Sequence, residues 1–206
     1  MPAILIVYCE FFQLIIFYNM STELYSQFLM IATLHLFAVM SPGPDFALII
    51  RQSLYYNRKT SIMTSVGIGF GILFHIFFCV IGIGVIISKS TYLFNIIKIS
   101  GGLYLIFLGY KSLSKKMDIN VNVDIDTSNN IPGNINAFLM GLGTNILNPK
   151  ATLFFLSLYA FIVNEQPIIH IQVLYGVWMS IITALWFCFL SIMLTNEFIT
   201  KRIKKF

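Results

Sequence analysis

The sequence predicts an all-α integral membrane protein of five to six transmembrane helices, arranged as two inverted three-helix repeats of which the second is incomplete. Three observations predict this. The 206-residue chain is 58% hydrophobic and only 10% charged, too apolar for a water-soluble domain of its size. Residues 60–88 and 166–196 contain no Asp, Glu, Lys or Arg, and about 20 such residues in a helix cross a bilayer. The same kind of interruption also occurs once in each half, as Ser41-Pro42-Gly43-Pro44-Asp45 and as Asn145-Ile146-Leu147-Asn148-Pro149-Lys150.

Residues 1–19 are an apolar extension with one charge, Glu10, and lack the positive start and small-residue cleavage site of a signal peptide. They are either an additional helix or lie ahead of a true start at Met20; the second reading is preferred. Residues 20–206 read as a single transmembrane domain, with a first repeat at 21–112, a polar loop at 113–134 and a second repeat at 135–206. Spans are expected at about 24–56, 60–88, 91–112, 135–163 and 167–194, the first and fourth being long enough to hold an internal break. In the loop, Asp118-x-Asn120-x-Asn122 has the start of a calcium-binding pattern, but Val123 and Asn129 stand where Gly and Glu are required. A solvated linker is the better reading.

The net charge of +5 is not a nucleic-acid footprint, because the cations cluster in short loops. Arg58 and Lys59, then Lys111, Lys115 and Lys116, then Lys201, Arg202, Lys204 and Lys205 all fall on one side of the expected topology. The positive-inside rule puts that side in the cytoplasm. Cys9, Cys79 and Cys188 stand in apolar surroundings without CxxC spacing, and read as packed side chains rather than a disulfide set or metal site. The chain has no HExxH, P-loop or GxSxG and no paired carboxylates within a span, so no enzyme, metal or cofactor is expected.

The breaks carry the chemistry. Proline removes a backbone donor, and Gly or Asn supports a turn, so each helix is expected to unwind locally. Backbone groups released at membrane depth persist only inside protein or beside a water-filled cavity. Matched breaks in two halves point to a transporter substrate site. Helices resuming at Pro44 and Pro149 would aim their N-terminal amides at the breaks, with Ser41 and Asn148 as expected caps. Asp45 suits a substrate ammonium and Lys150 a carboxylate, which together describe a zwitterionic amino acid. Alternatively, the two charges pair with each other across the repeat axis. The substrate-binding candidates are therefore Ser41, Gly43, Pro44, Asp45, Asn145, Asn148, Pro149 and Lys150.

Asp45 and His75 are the candidates for proton coupling, although a lone intramembrane His more often bonds a neighbouring helix. His35 is a weaker candidate of the same kind. Gly67-x-Gly69-x-Gly71 lies inside an apolar helix with no strand before it, and so reads as a helix-packing surface rather than a nucleotide loop. Gly82, Gly84, Gly101, Gly102 and Gly109 read the same way, and such faces permit a homodimer.

At these residues the chain resembles the LysE/RhtB family of amino-acid exporters. Four segments carry the resemblance in order: Ser41–Asp45 followed by Arg51-Gln52-Ser53-Leu54; Gly67-x-Gly69-x-Gly71 with His75 and Gly82; Gly101-Gly102-Leu103-Tyr104-Leu105 with Gly109; and Thr144-Asn145-x2-Asn148-Pro149-Lys150 with Phe154. The resemblance implies a multi-pass protein of the bacterial inner (cytoplasmic) membrane. It would export small amino acids such as homoserine, threonine, lysine or leucine, driven by the proton gradient. Family members usually carry a further helix after the last basic loop, where this chain stops at Phe206. The alternative is therefore a truncated, non-transporting remnant or scaffold. An ion channel or metal carrier lacks the acidic ring or His/Cys cluster it would need.

Overall fold

A computed structural model describes residues 22–114, 131–165 and 168–196 of the chain. The N-terminal extension, the calcium-like run at 118–129, Cys9 and the last basic cluster lie outside these residues. Among the described residues all regular structure is helical, in agreement with the expected class. The helices are α1 (Thr22–Met40), α2 (Pro44–Tyr55), α3 (Arg58–Lys89), α4 (Thr91–Ser114), α5 (Asn134–Ile146), α6 (Pro149–Glu165) and α7 (Ile169–Leu194).

The chain divides into two compact units, one ending at Leu36 and one beginning at Phe37. Within the first, the hydroxyls of α1 bond back along the helix, Ser26 Oγ donating to Glu23 O and Thr33 Oγ1 to Leu29 O. Everything described below belongs to the second unit.

The two expected interruptions are present, and they split the first and fourth spans into α1–α2 and α5–α6. Their cause is local. Pro42 and Pro149 have no N–H, so the carbonyls four residues earlier, of Ala38 and Asn145, lose their helical donors. Ser41 N still donates to Phe37 O at 3.1 Å, which is the last turn of α1. Helical bonding resumes with Ala47 N to Gly43 O at 2.9 Å, and after the second break with Thr152 N to Asn148 O at 3.0 Å. The turns need no left-handed residue: no described residue has positive φ. Gly43 is fully extended, at φ −173° and ψ −174°, so its value lies in the space it leaves rather than in a left-handed turn.

α3 is the central helix. It packs on both α5 and α7, while α4 packs on α6. The Gly67-x-Gly69-x-Gly71 run makes this possible. A Cβ at Gly67 would strike the backbone of Phe138 and Leu142 in α5, and one at Gly141 would strike the backbone of Thr64 in α3. Gly69 instead faces Ala184 and Ser180 of α7, and Gly71 faces the Asn145 side chain. Gly101 lets α4 approach Ser157 of α6 in the same way. The expected packing role fails at Gly82, Gly102 and Gly109, where an added Cβ would meet nothing within 4 Å.

Polarity is distributed as a bilayer requires. Large apolar side chains such as Phe74, Phe77, Phe78, Leu103, Ile106 and Ile181 are exposed, and hydroxyl and amide side chains are buried. Ser53, Ser61, Ser65 and Ser191 form a buried chain of hydroxyl contacts at 2.8–2.9 Å that ties α2, α3 and α7 together. Asn57 caps α3 by accepting from Thr60 N at 2.9 Å. Ile49, Ile68 and Phe187 close the apolar core beside this cluster, packed by Val39, Phe46, Trp186 and Leu190. α1, α3, α4 and α7 each contain an apolar run long enough to cross a membrane, and α6 contributes a shorter one. The chain is a multi-pass membrane protein.

Candidate functional site

The two breaks meet, and each supplies what the other lacks. The carbonyl of Ala38, left without a helical donor by Pro42, accepts from Lys150 Nζ at 2.9 Å. The same ammonium donates to Ser41 O at 2.6 Å. To get there the lysine stem crosses Gly43, where a Cβ would stand 3.2 Å from Lys150 Cδ and 3.5 Å from Nζ. In return, Asp45 Oδ2 accepts from Asn145 Nδ2 at 2.8 Å and from Asn148 Nδ2 at 3.0 Å. Asp45 Oδ1 takes no hydrogen bond from the described residues.

The second break is further secured from within. Asn148 Oδ1 accepts from Lys150 N at 3.0 Å and so caps α6, as its position before Pro149 predicts. The carbonyl of Asn145, orphaned by Pro149, accepts from Asn148 N at 3.1 Å and from His75 Nε2 at 3.0 Å. His75 is held by the ring of Phe155, stacked at 5.7 Å between centroids and 7° between planes. Tyr104 of α4 donates its hydroxyl to Lys150 O at 3.4 Å.

Most of the expected site residues are thus brought together: Ser41, Gly43, Asp45, His75, Asn145, Asn148 and Lys150. Two expectations about their roles are corrected. Ser41 is not a cap; Gly43 holds the cap position of α2, which has no side-chain cap bond, and Ser41 participates through its carbonyl. The hydrogen bonds of Asp45 come from two asparagine amides, and those of Lys150 go to two main-chain carbonyls, in place of a bond between the two charges. The prolines shape the backbone but leave their rings exposed. Ala38 and Tyr104 were not anticipated. Ala38 was findable, since it lies four residues before Pro42; Tyr104 stood within the third segment of the family resemblance, but nothing in the sequence tied it to the breaks.

The arrangement places opposite charges at the two breaks. A half-buried carboxylate with one unengaged oxygen stands at one break. At the other, an ammonium is held by two main-chain carbonyls at 2.9 and 2.6 Å, the lengths of charge-assisted bonds. Broken helices with charged side chains at their joint define a class, the secondary transporters built on discontinuous helices.

The chain belongs to the LysE type translocator family, which it matches over residues 36–205. The threonine efflux protein of Escherichia coli (strain K12) is 34% identical to it over 145 residues, 68% of this chain and 68% of that protein. The threonine efflux protein of Salmonella typhi is similar to the same extent. An uncharacterized membrane protein of Bacillus subtilis (strain 168), YrhP, is 30% identical over 158 residues, covering 74% of this chain and 75% of the relative. No solved structure matches the chain.

Proposed function

We propose that this protein exports a small amino acid, of the size and polarity of threonine or homoserine, from the cytoplasm across the bacterial inner membrane, driven by the proton gradient. The observation that carries the reading is the reciprocal bonding of the two breaks, Asp45 to Asn145 and Asn148, and Lys150 to Ala38 and Ser41. A zwitterion supplies the partners needed to open both contacts: its ammonium meets Asp45 Oδ1 and its carboxylate draws Lys150 away from the carbonyls. Ser41, Gly43, Pro44, Asn145 and Pro149 then line or shape the binding place. Family membership and the names of the efflux relatives support the substrate class.

Proton coupling falls to Asp45, with His75 as the neighbouring base that holds the second break's carbonyl. The basic loops face the cytoplasm in this reading. The lipid bilayer is the protein's environment, and the glycines left open to the surface, Gly82, Gly102 and Gly109, leave room for a second copy.

The test is efflux of preloaded, labelled threonine and homoserine from exporter-deficient cells, with Asp45→Asn in parallel. The expected result is efflux by the wild type and none by the variant at equal membrane abundance. Equal efflux by both would remove Asp45 from the mechanism, and no efflux by the wild type for any amino acid would remove the function.

A further inference from the structure

Lys150 Nζ occupies the kind of place, lined by unwound main-chain carbonyls, that coordinates a coupling cation in broken-helix transporters. Unwound main-chain carbonyls in a membrane helix are good ligands for small monovalent cations, because they are oriented, partly negative and short of donors. Here the carbonyls of Ala38 and Ser41 converge on one point, and Lys150 Nζ fills it at 2.9 and 2.6 Å. The route to that point is cleared by the absence of a side chain at Gly43. The lysine backbone is fixed on both sides, its N–H by Asn148 and its carbonyl by Tyr104. The nearest titratable side chains in the site are Asp45 on α2, His75 on α3 and Tyr104 on α4.

We infer that the first break is a monovalent-cation site occupied by the protein's own ammonium, so that the transporter takes no sodium ion there and an alanine at position 150 turns the place into a site for a small external cation. The carbonyls need a positive partner in every resting state, and a tethered one cannot diffuse away. Methionine at 150 would remove the charge but leave a side chain in the path. Alanine would remove both. The two variants therefore part company in their response to added cations only if the place itself binds them.

Two measurements test this. The first is independent of the transport reading: melting of the purified protein in detergent, in choline chloride against sodium, lithium or ammonium chloride at equal ionic strength. The wild type is expected to melt at the same temperature in all four. Lys150→Ala should melt lower in choline and be raised, saturably, by at least one small cation, and Lys150→Met should not respond. An alanine variant that responds no more than wild type or methionine would overturn the inference, as would a wild type stabilised by sodium. The second rests on the export reading: efflux from proteoliposomes. Wild-type efflux is expected to be unchanged when choline replaces sodium. Lys150→Ala should lose about tenfold or more, because it removes both the donor to two buried acceptors and the partner proposed for the substrate carboxylate, and regain part of it with the cation that raises its melting point. Full activity of Lys150→Ala in choline would overturn the inference. A wild type that exports no amino acid would instead sink the export reading, leaving the melting experiment to decide the cation site.

Discussion

At the first break, the carbonyl that proline leaves behind is answered only from a distance, by an ammonium carried on another helix. At the second, the equivalent carbonyl has a neighbour's N–H as well as the His75 imidazole, and the resuming helix has its own cap in Asn148. The two sites share a proline rule but not a degree of self-sufficiency. The second is a structure that local sequence builds; the first is one that the second holds in place. A lesion in the second break should therefore be felt at both, while a lesion in the first should stay where it is made unless it touches Asp45, which accepts from Asn145 and Asn148.

The sharpest way to break this comparison is at Asp45, the one side chain of the first break on which the second depends. Asp45→Ala leaves the amides of Asn145 and Asn148 without their acceptor. It should abolish export and cost roughly 3 kcal/mol, on the scale of hydrogen bonds to a charged group. Asp45→Asn keeps an acceptor oxygen and removes the charge, so it should lose export with a much smaller change in melting. If both variants melt alike, the hydrogen bonds to Asp45 are not what joins the breaks.

Asn148→Ala and Ser41→Ala sharpen the asymmetry directly. The first removes a cap and a bond to Asp45 and should cost about 1–2 kcal/mol or somewhat more. The second should stay within about 0.5 kcal/mol, because Ser41 acts through its carbonyl. Comparable melting of the two would mean that the first break has a side-chain cap after all.

His75→Ala should cost about 1 kcal/mol, less than a full orphaning, because Asn148 N continues to serve the Asn145 carbonyl. A loss in melting as large as that of Asp45→Ala would show that the local N–H contributes little. At the small end, Gly43→Ala asks only a flexible lysine stem to shift by a few tenths of an ångström. Its effect on melting should be under about 1 kcal/mol, whereas Gly141→Ala, which meets backbone, should cost about 1–3 kcal/mol.

Much of this was legible in the chain. Pro42 and Pro149 gave the breaks, because a missing N–H acts within four residues and needs no tertiary context. Their charged neighbours gave the joint, because an intramembrane charge must find a partner. What could not be read was which partner. Asp45 and Lys150 are obvious mates by sign, yet each is satisfied by amide groups of the opposite break. The choice depends on tertiary approach, such as the passage of the Lys150 stem across Gly43. The glycines themselves were only half legible: Gly67 and Gly101 face a neighbouring helix and Gly82 and Gly102 face outward, a difference of helix rotation that residue type does not record.

The contact of α3 with α5 has a mechanical meaning. Gly67 lies against the carbonyl of Phe138 and Gly141 against that of Thr64, main chain on main chain, with no layer of side chains to slide. Helices so joined form a single strut. α4 and α6 meet at Gly101 and Ser157 as a second pair. The chain passes from the strut to that pair between Leu147 and Asn148, and this is also where its hydrogen-bond ladder is cut. The cut ladder is bridged by side chains instead, the Lys150 ammonium and the Asp45 carboxylate fastening one break to the other across it.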